Sequence, residues 1–195
     1  MDYADRRREQ ARQTERRIMQ AALALMREES FDQMSVRDIC QRAGITTGAF
    51  YHHFPSKEAL ITKGFAPLDD SMRQMMKEHG GEPPQQRLWY ILESYARFME
   101  AGSELVGRYY SRRMTDPSSP SIDRSRYTFQ IMEDCFRQAQ QEGILYPEHS
   151  PEWVAEFCYR HFRGVVIDWV LHHYGYPLLP KMQEDYALFV QIFRC

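Results

Sequence analysis

The segment SVRDICQRAGITTGAFYHHFPSK, residues 35–57, contains the signals for two short helices separated by a glycine. Ser35, with an aspartate three residues later, has the pattern of a capping box and predicts that a helix begins there. Gly44 suits the left-handed cap that ends this first helix. Thr46 is the next candidate N-cap, and Pro55 disfavours helical geometry at the residue before it. The segment therefore predicts a helix, a tight turn and a second helix.

This arrangement is typical of a helix-turn-helix, in which the N-terminal end of the second helix enters the DNA major groove. Thr46 would cap that helix and leave a hydroxyl near a phosphate. Thr47 is short enough for the backbone to approach base edges, and its methyl group can contact a thymine methyl. Gly48 has no side chain to hold the helix away from the DNA.

The second half of the predicted recognition helix alternates between inward and outward side chains. Phe50 and Phe54 are predicted to face the core. Tyr51 and His52 are predicted to face outward, where a hydroxyl and an imidazole can reach phosphate oxygens. Lys57 lies at the start of the following helix, where the backbone N–H groups already favour an anion. We therefore expect these outward residues to position the protein on DNA.

Residues 14–65 resemble the DNA-binding region of the TetR family of bacterial transcriptional regulators. The resemblance rests on an amphipathic first helix and on the motifs Ser35-Val36, Ala43-Gly44-Ile45, Gly48, Tyr51-His52-x-Phe54 and Ser56-Lys57-Glu58. It implies an all-α homodimer with a three-helix helix-turn-helix domain and a C-terminal helical domain. That second domain would bind a ligand and dimerise through the last two helices.

The resemblance also implies which residues contact DNA. Those expected to do so are Thr46, Thr47, Gly48, Tyr51, His52 and Lys57, with Ser35 and Arg37 near the DNA backbone. Thr47 lacks the positive charge that the family often has at this position. We therefore expect an arginine-rich N-terminal arm to contribute to affinity, through Arg6, Arg7, Arg8 and Arg12.

Composition and charge narrow the class of protein. The chain of 195 residues has a net charge of −2, but residues 1–65 carry 11 Lys and Arg against 9 Asp and Glu. This asymmetry is weak evidence that the N-terminal part meets an anionic partner. The longest apolar runs are too short for a membrane span, and the four cysteines form no CxxC pair. We therefore expect a cytoplasmic protein with no membrane contact and no cofactor.

The periodicity of apolar residues predicts helices nearly throughout, about nine in total. The first is predicted over roughly 10–29. A long fourth helix is predicted from Ser56 toward Lys77, joining a DNA-binding domain of residues 1–55 to a ligand-binding and dimerisation domain of residues 56–195. Ligand binding would shift this fourth helix and so change DNA binding.

A polar stripe is predicted on the long helix that begins after Ser150, because its members recur at spacings of three and four. The stripe contains Cys158, His161, Val165, Asp168 and His172. It could line a ligand pocket, lie at the dimer interface, or bind a metal, since Cys-x-x-His and Asp-x-x-x-His are feasible ligand pairs on a helix. The predicted ligand-pocket residues are Phe98, Tyr110, Tyr127, His161, Phe162, Asp168 and Trp169.

The sequence thus predicts a ligand-responsive transcriptional repressor. A homodimer would bind a palindromic operator and would be released from it by a small-molecule effector. One alternative is a small helical enzyme or metal-binding protein that uses the polar stripe. Another is a helix-turn-helix that binds only proteins. The chain has no GxSxG elbow, no phosphate-binding glycine loop and no HExxH, so we expect no enzyme activity.

Overall fold

The computed structural model describes residues 3–28, 31, 33–115, 122–145 and 148–192. Ten helices lie in these ranges, and the predicted all-α fold is confirmed. The helices are α1 (Tyr3–Glu28), α2 (Val36–Ala43), α3 (Thr47–His53), α4 (Ala59–Lys63), α5 (Ala66–His79), α6 (Pro84–Ala101), α7 (Ser103–Thr115), α8 (Tyr127–Gln141), α9 (Pro151–Leu171) and α10 (Leu178–Ile192). Within the described ranges, no helix combines the length and apolarity needed to cross a membrane.

The chain divides into two compact units, an N-terminal unit of residues 1–65 and a C-terminal unit of residues 66–195. The N-terminal unit contains α1 to α4, and the C-terminal unit contains α5 to α10. The domain boundary predicted from the sequence, between residues 55 and 56, falls before α4, whereas the division between the compact units falls after it.

The core of the N-terminal unit forms where α1 packs against α2 and α3. Ile18 of α1 and Ile39 of α2 are fully buried. Phe50 and Phe54 are also buried, as predicted, and their stacked ring centroids lie 5.6 Å apart. Fully burying one phenylalanine side chain contributes about 1.5–3 kcal/mol, so these rings fix which face of α3 turns inward.

The first helix begins at Tyr3, well before the predicted start near residue 10. Residues 4–17 contain only alanine, arginine, glutamine, glutamate, aspartate and threonine, with neither glycine nor proline, and most of these favour a helix. Arg6, Arg7, Arg8 and Arg12 are therefore exposed on α1 rather than on an irregular arm.

The long fourth helix predicted over 56–77 is wrong, because two helices occupy this stretch. α4 ends at Lys63 and α5 begins at Ala66. The turn between them contains Gly64, a weak helix former, and Phe65, which is buried. This break accounts for the tenth helix.

In the C-terminal unit, α8 packs against α6 and α9, and α6 also packs against α5 and α10. α6 is therefore the central helix of this unit, and Ile91, Leu92 and Met99 lie along its buried side. α9 begins at Pro151, where the Oγ of Ser150 accepts a hydrogen bond from the N–H of Trp153 at 3.2 Å. This cap satisfies a backbone group at the helix end.

The left-handed backbone of Gly44 yields a stability prediction. Substitution Gly44→Ala places a Cβ at φ 65°, which costs about 1 kcal/mol even though no other atom lies within 4 Å of it. Amide hydrogen exchange in α2 and α3 should report a lower opening free energy. Gly48→Ala is the matched control, because Gly48 is helical and its added Cβ would meet only Thr46 Oγ1, at 3.9 Å. Equal destabilisation by both substitutions would contradict this account.

Candidate nucleic-acid interface

The predicted capping box at the start of α2 is confirmed. The Asp38 N–H donates to Ser35 Oγ at 3.2 Å, and the Ser35 N–H donates to Asp38 Oδ2 at 2.9 Å. The Ser35 hydroxyl also donates to Asp38 Oδ2, at 2.5 Å. These bonds from Ser35 lower the pKa of the exposed Asp38 carboxyl. The hydroxyl proton of Ser35 is therefore used within the cap, although the residue is exposed.

The turn between α2 and α3 has the predicted left-handed glycine. Gly44 has φ 65° and ψ 42°, and its N–H points to the carbonyl groups at the end of α2. The N–H of Ile45 donates to Cys40 O at 3.0 Å. Thr46 then caps α3, because its Oγ1 accepts a hydrogen bond from the Ala49 N–H at 3.2 Å. Both ends of the turn are thus satisfied by hydrogen bonds from neighbouring residues.

The outward face of α3 is formed by Thr47, Gly48, Tyr51 and His52, all of which are exposed. The side chain of Tyr51 is 56% exposed, an unusual degree for a large ring on a short helix. A Cβ added at Gly48 would fit without a clash, so packing inside the unit does not require glycine there. The face is therefore small and open at its N-terminal end, with larger polar rings one turn later.

Positive charge lies on the neighbouring helices of the same unit. Arg37 is exposed on the first turn of α2, and the four arginines of α1 named above are also exposed. Long exposed cationic side chains can follow a phosphate backbone without fixing base sequence.

Lys57, which the sequence predicts to contact DNA, is bonded within the N-terminal unit. Its Nζ donates to the carbonyl oxygens of Phe31 at 2.7 Å and Met34 at 2.9 Å. The same ammonium lies 4.6 Å from the centroid of the Phe31 ring, in cation–π geometry. Lys57 therefore stabilises the connection between α1 and α2. Local sequence could not reveal this, because the carbonyl groups lie 23 and 26 residues away.

A second lysine, which the sequence analysis missed, holds the end of α3. Lys63 Nζ donates to the His53 carbonyl at 2.9 Å and to Glu15 Oε1 at 3.2 Å, and it lies 4.7 Å from the Phe54 ring centroid. His53 Nδ1 lies 3.4 Å from the same Glu15 oxygen. These contacts join α4 and α1 to the C-terminal end of the recognition helix.

The residues predicted to line a ligand pocket have other roles in the C-terminal unit. The hydroxyls of Tyr110 and Tyr95 lie 2.6 Å apart in the core, where burial raises the pKa of both groups. The ring of Tyr127 lies 4.1 Å from the guanidinium of Arg73. Trp169 is buried, and its indole N–H donates to Tyr176 O at 2.8 Å. These aromatic side chains stabilise the fold.

The polar stripe on α9 divides into buried and exposed members. Cys158 is buried, whereas His161 is exposed and lies 3.3 Å from Asp185 Oδ2 on α10. Asp168 accepts a hydrogen bond from the Tyr176 hydroxyl at 2.8 Å, and His172 lies just beyond the end of the helix. No three His, Cys, Asp or Glu residues within the described ranges are placed to hold a metal ion. The metal alternative for this stripe is therefore not supported.

A cavity of about 550 Å³ opens between α6, α8 and α10. Its walls include Leu88, Trp89, Phe136, Ala139, Tyr186 and Phe189. This cavity is lined by none of the residues predicted to form a ligand pocket, namely Phe98, Tyr110, Tyr127, His161, Phe162, Asp168 and Trp169. Phe162 borders a separate hollow of about 10 Å³, which has room for one water at most.

Comparison with known proteins identifies the family. Residues 18–63 match the family of bacterial regulatory proteins named tetR. The HTH-type transcriptional regulator UidR of Escherichia coli K12 is 27% identical over 84% of this chain and 85% of its own length. The probable acrEF/envCD operon repressor of the same organism is 24% identical, over 90% of this chain and 84% of its own. The predicted resemblance to the TetR family is confirmed.

A solved structure supports the same fold over nearly the whole length. The transcriptional regulator FadR from Bacillus subtilis, in complex with stearoyl-CoA, aligns with a TM-score of 0.70 at 16% identity. The alignment covers 89% of this chain and 96% of that protein. The sequence matches to regulators, together with the helix-turn-helix in the N-terminal unit, identify the protein as a DNA-binding transcriptional regulator. Its matched relatives are regulators rather than enzymes.

The contribution of Lys57 to stability and to DNA binding can be measured. Substitution Lys57→Met removes the ammonium but keeps most of the apolar stem, so two carbonyl groups lose their charged donor. We expect the opening free energy of the N-terminal unit to fall by about 1–2 kcal/mol in amide hydrogen exchange. The salt dependence of DNA binding should stay unchanged, because no phosphate contact is lost. Lys77→Met, which removes an exposed lysine of α5, is the control for loss of charge. A shallower salt dependence for Lys57→Met alone would restore the DNA-contact role.

Proposed function

We propose that this TetR-family protein is a repressor that binds a palindromic operator as a homodimer and is released by a small molecule. The open face at the N-terminal end of α3 carries the DNA-binding part of the proposal. Its residues are short and exposed, and a side chain at Gly48 would not clash with the rest of the unit, so the fold does not require glycine there. A helix with such an end can approach base edges closely.

The DNA contacts divide into two groups by chemistry. Thr47 and Gly48 would lie against base edges, where small groups admit the helix into the major groove. Tyr51 and His52 would bind phosphate oxygens one turn later, which fixes the position of the helix. Arg37 and the exposed arginines of α1 would add attraction that depends on salt. Lys57 takes no part, because its ammonium is bound within the unit.

A homodimer through the last two helices is supported by exposed apolar side chains on α9 and α10. Leu188 is 61% exposed and Leu171 is 69% exposed, and the exposed rings of Trp153 and Phe157 stack with their centroids 5.5 Å apart. Large exposed apolar groups on two helices that pack against each other are typical of a surface that another protein covers. A two-fold dimer would present two copies of α3 to the DNA, which requires an operator with matching symmetry.

The cavity supports an effector site in the C-terminal unit. Its volume of about 550 Å³ falls within the range of roughly 300–1,000 Å³ found for small-molecule pockets. FadR from B. subtilis, which shares this fold, is in complex with stearoyl-CoA, and a related E. coli protein is named an operon repressor. An effector releases the operator only if it binds the non-DNA-binding state more tightly.

The two units would therefore have different functions. We assign DNA binding to the N-terminal helices and effector binding and dimerisation to the C-terminal unit. Such a regulator acts where the bacterial chromosome lies, which is the cytoplasm.

Selection from random DNA duplexes tests the proposed interface. The wild-type protein should enrich a palindrome. On that sequence, we expect Tyr51→Ala and Gly48→Ala each to weaken binding by about tenfold or more, since a phosphate contact or close approach is lost. Tyr51→Phe is the matched control that keeps the ring and removes the hydroxyl. Its operator affinity should lie between those of the wild type and Tyr51→Ala. The melting temperature should stay within about 2 °C for all three, because these positions are exposed. Unchanged affinity in both exposed-face variants would refute the assignment.

The proposed dimer surface has its own test. Leu188→Glu places a charge where the partner would bury an apolar side chain, and burying an unpaired charge is strongly unfavourable. We expect the dimer to dissociate at about tenfold higher protein concentration or more in sedimentation equilibrium, with a matching loss of operator affinity. Gln130→Glu adds the same charge at an exposed position of α8 and serves as control. A Leu188→Glu protein that dimerises like the control would exclude this surface.

A further inference from the structure

The walls of the 550 Å³ cavity are uncharged. Within the described part of the chain, no Asp, Glu, Lys, Arg or His lines it. Its side-chain polar groups are the amides of Gln85, Gln86 and Gln183, the hydroxyl of Tyr186, the indole N–H of Trp89 and the weakly polar thiol of Cys135. The Tyr186 hydroxyl donates to the backbone carbonyl of Gln85 at 2.5 Å, so its proton is not available to a ligand. A ligand would therefore meet uncharged polar groups, namely the glutamine amides and the indole N–H of Trp89.

The buried guanidinium of Arg87 does not provide a counter-charge in this wall. Arg87 is only 7% exposed, its Nη2 donates to Gln138 Oε1, and its Nε has no hydrogen-bond partner in the structure. It follows Gln86 on α6 but does not line the cavity, whereas its neighbours Gln86 and Leu88 do. A ligand in the cavity would therefore meet amides and apolar groups rather than a cation.

The remaining walls are apolar and partly aromatic. Trp89 lies against Tyr186 with ring centroids 5.5 Å apart, and Phe136 lies against Phe189 with centroids 6.2 Å apart. Proline, leucine, isoleucine and valine side chains complete the lining. An apolar molecule gains free energy by leaving water for such walls. A carboxylate or phosphate would lose its hydration without a compensating charge.

We propose that this cavity binds an uncharged, mainly apolar molecule that carries a hydroxyl or carbonyl group. Amide side chains can donate to a carbonyl oxygen and can both donate to and accept from a hydroxyl, so the glutamines suit either group. The cavity thereby selects against a carboxylate and against the charged headgroup of an acyl-CoA. The proposal rests on the proposed function in one respect, namely that this occupant is the effector.

Three probes with the same twelve-carbon chain test the ligand class: 1-dodecanol, dodecanoate and dodecanoyl-CoA. They differ in headgroup, which is neutral, singly negative or multiply negative. Isothermal titration of the full-length protein at pH 7.5 should show binding of 1-dodecanol. The alcohol is kept below its aqueous solubility limit, and the two anionic probes are kept below their micellar concentrations. The two anionic probes should bind at least tenfold more weakly. Equal or tighter binding of either anionic probe overturns the proposal, and so does the absence of binding by all three.

A filling variant locates the site. Ala187 lines the cavity from an exposed position of α10, so Ala187→Phe should occupy part of the space without burying a new group in the core. We expect at least a tenfold loss of 1-dodecanol affinity. Gln191→Phe adds the same ring at an exposed position of α10 that does not line the cavity, and it should bind like wild type. If Ala187→Phe binds 1-dodecanol with unchanged affinity, the alcohol binds elsewhere and this cavity is not its site.

Operator binding measured on the same preparations distinguishes failure of the proposed ligand class from failure of the proposed function. If the wild-type protein binds its selected palindrome but the probes fail as above, only the assignment of the cavity falls. If no palindrome is enriched while 1-dodecanol binds with the expected preference, the cavity assignment stands and the proposed function falls.

Discussion

The recognition helix depends on the left-handed backbone at Gly44. This residue ends α2 and lets the chain reverse within three residues, so that Thr46 can begin α3 with its own cap. Because the reversal is so short, the buried Phe50 fixes the rotation of α3 against the core. The same rotation exposes Thr47 and Gly48 on the opposite side. One backbone conformation thus determines which side chains of α3 are exposed.

Features determined by residues within four positions of one another could be predicted from the sequence. The capping box, the glycine turn, the second cap and the inward phenylalanines are all of this kind, and the structure confirms them. Lys57 could not be placed in this way. A lysine after a serine at a helix start suits an anion site equally well, and only the fold brings the carbonyl groups of Phe31 and Met34 to its ammonium. The role of Lys63 could not be predicted for the same reason, because its partner Glu15 lies 48 residues away.

The C-terminal unit shows a different limit of sequence patterns. Aromatic residues at helical spacing indicate a buried face, but they do not show whether neighbouring rings fill the space between helices. Tyr110 and Trp169 lie where the helices pack closely, whereas Trp89 and Phe136 lie beside the open cavity. The members of the α9 stripe do share one face, but this face lies on the boundary between the buried and the exposed side of the helix. Cys158 and Val165 are therefore buried, whereas His161 and Asp168 are exposed. Phe189 shows how close the cavity is to the outer surface, since its ring lies 6.2 Å from that of the exposed Phe157.

Two glycines of the N-terminal unit differ in whether the fold requires them. Gly44 is required by its backbone angle, and Gly48 is not required by any neighbouring atom. A crystal structure of the dimer with its selected duplex would test the central claim most directly, through the distance from Gly48 Cα to the nearest base edge. We expect the N-terminal end of α3 to lie in the major groove, with Gly48 in van der Waals contact with a base edge at about 4 Å. A complex in which this end of α3 lies outside the groove, with the bases contacted by another surface, would contradict it.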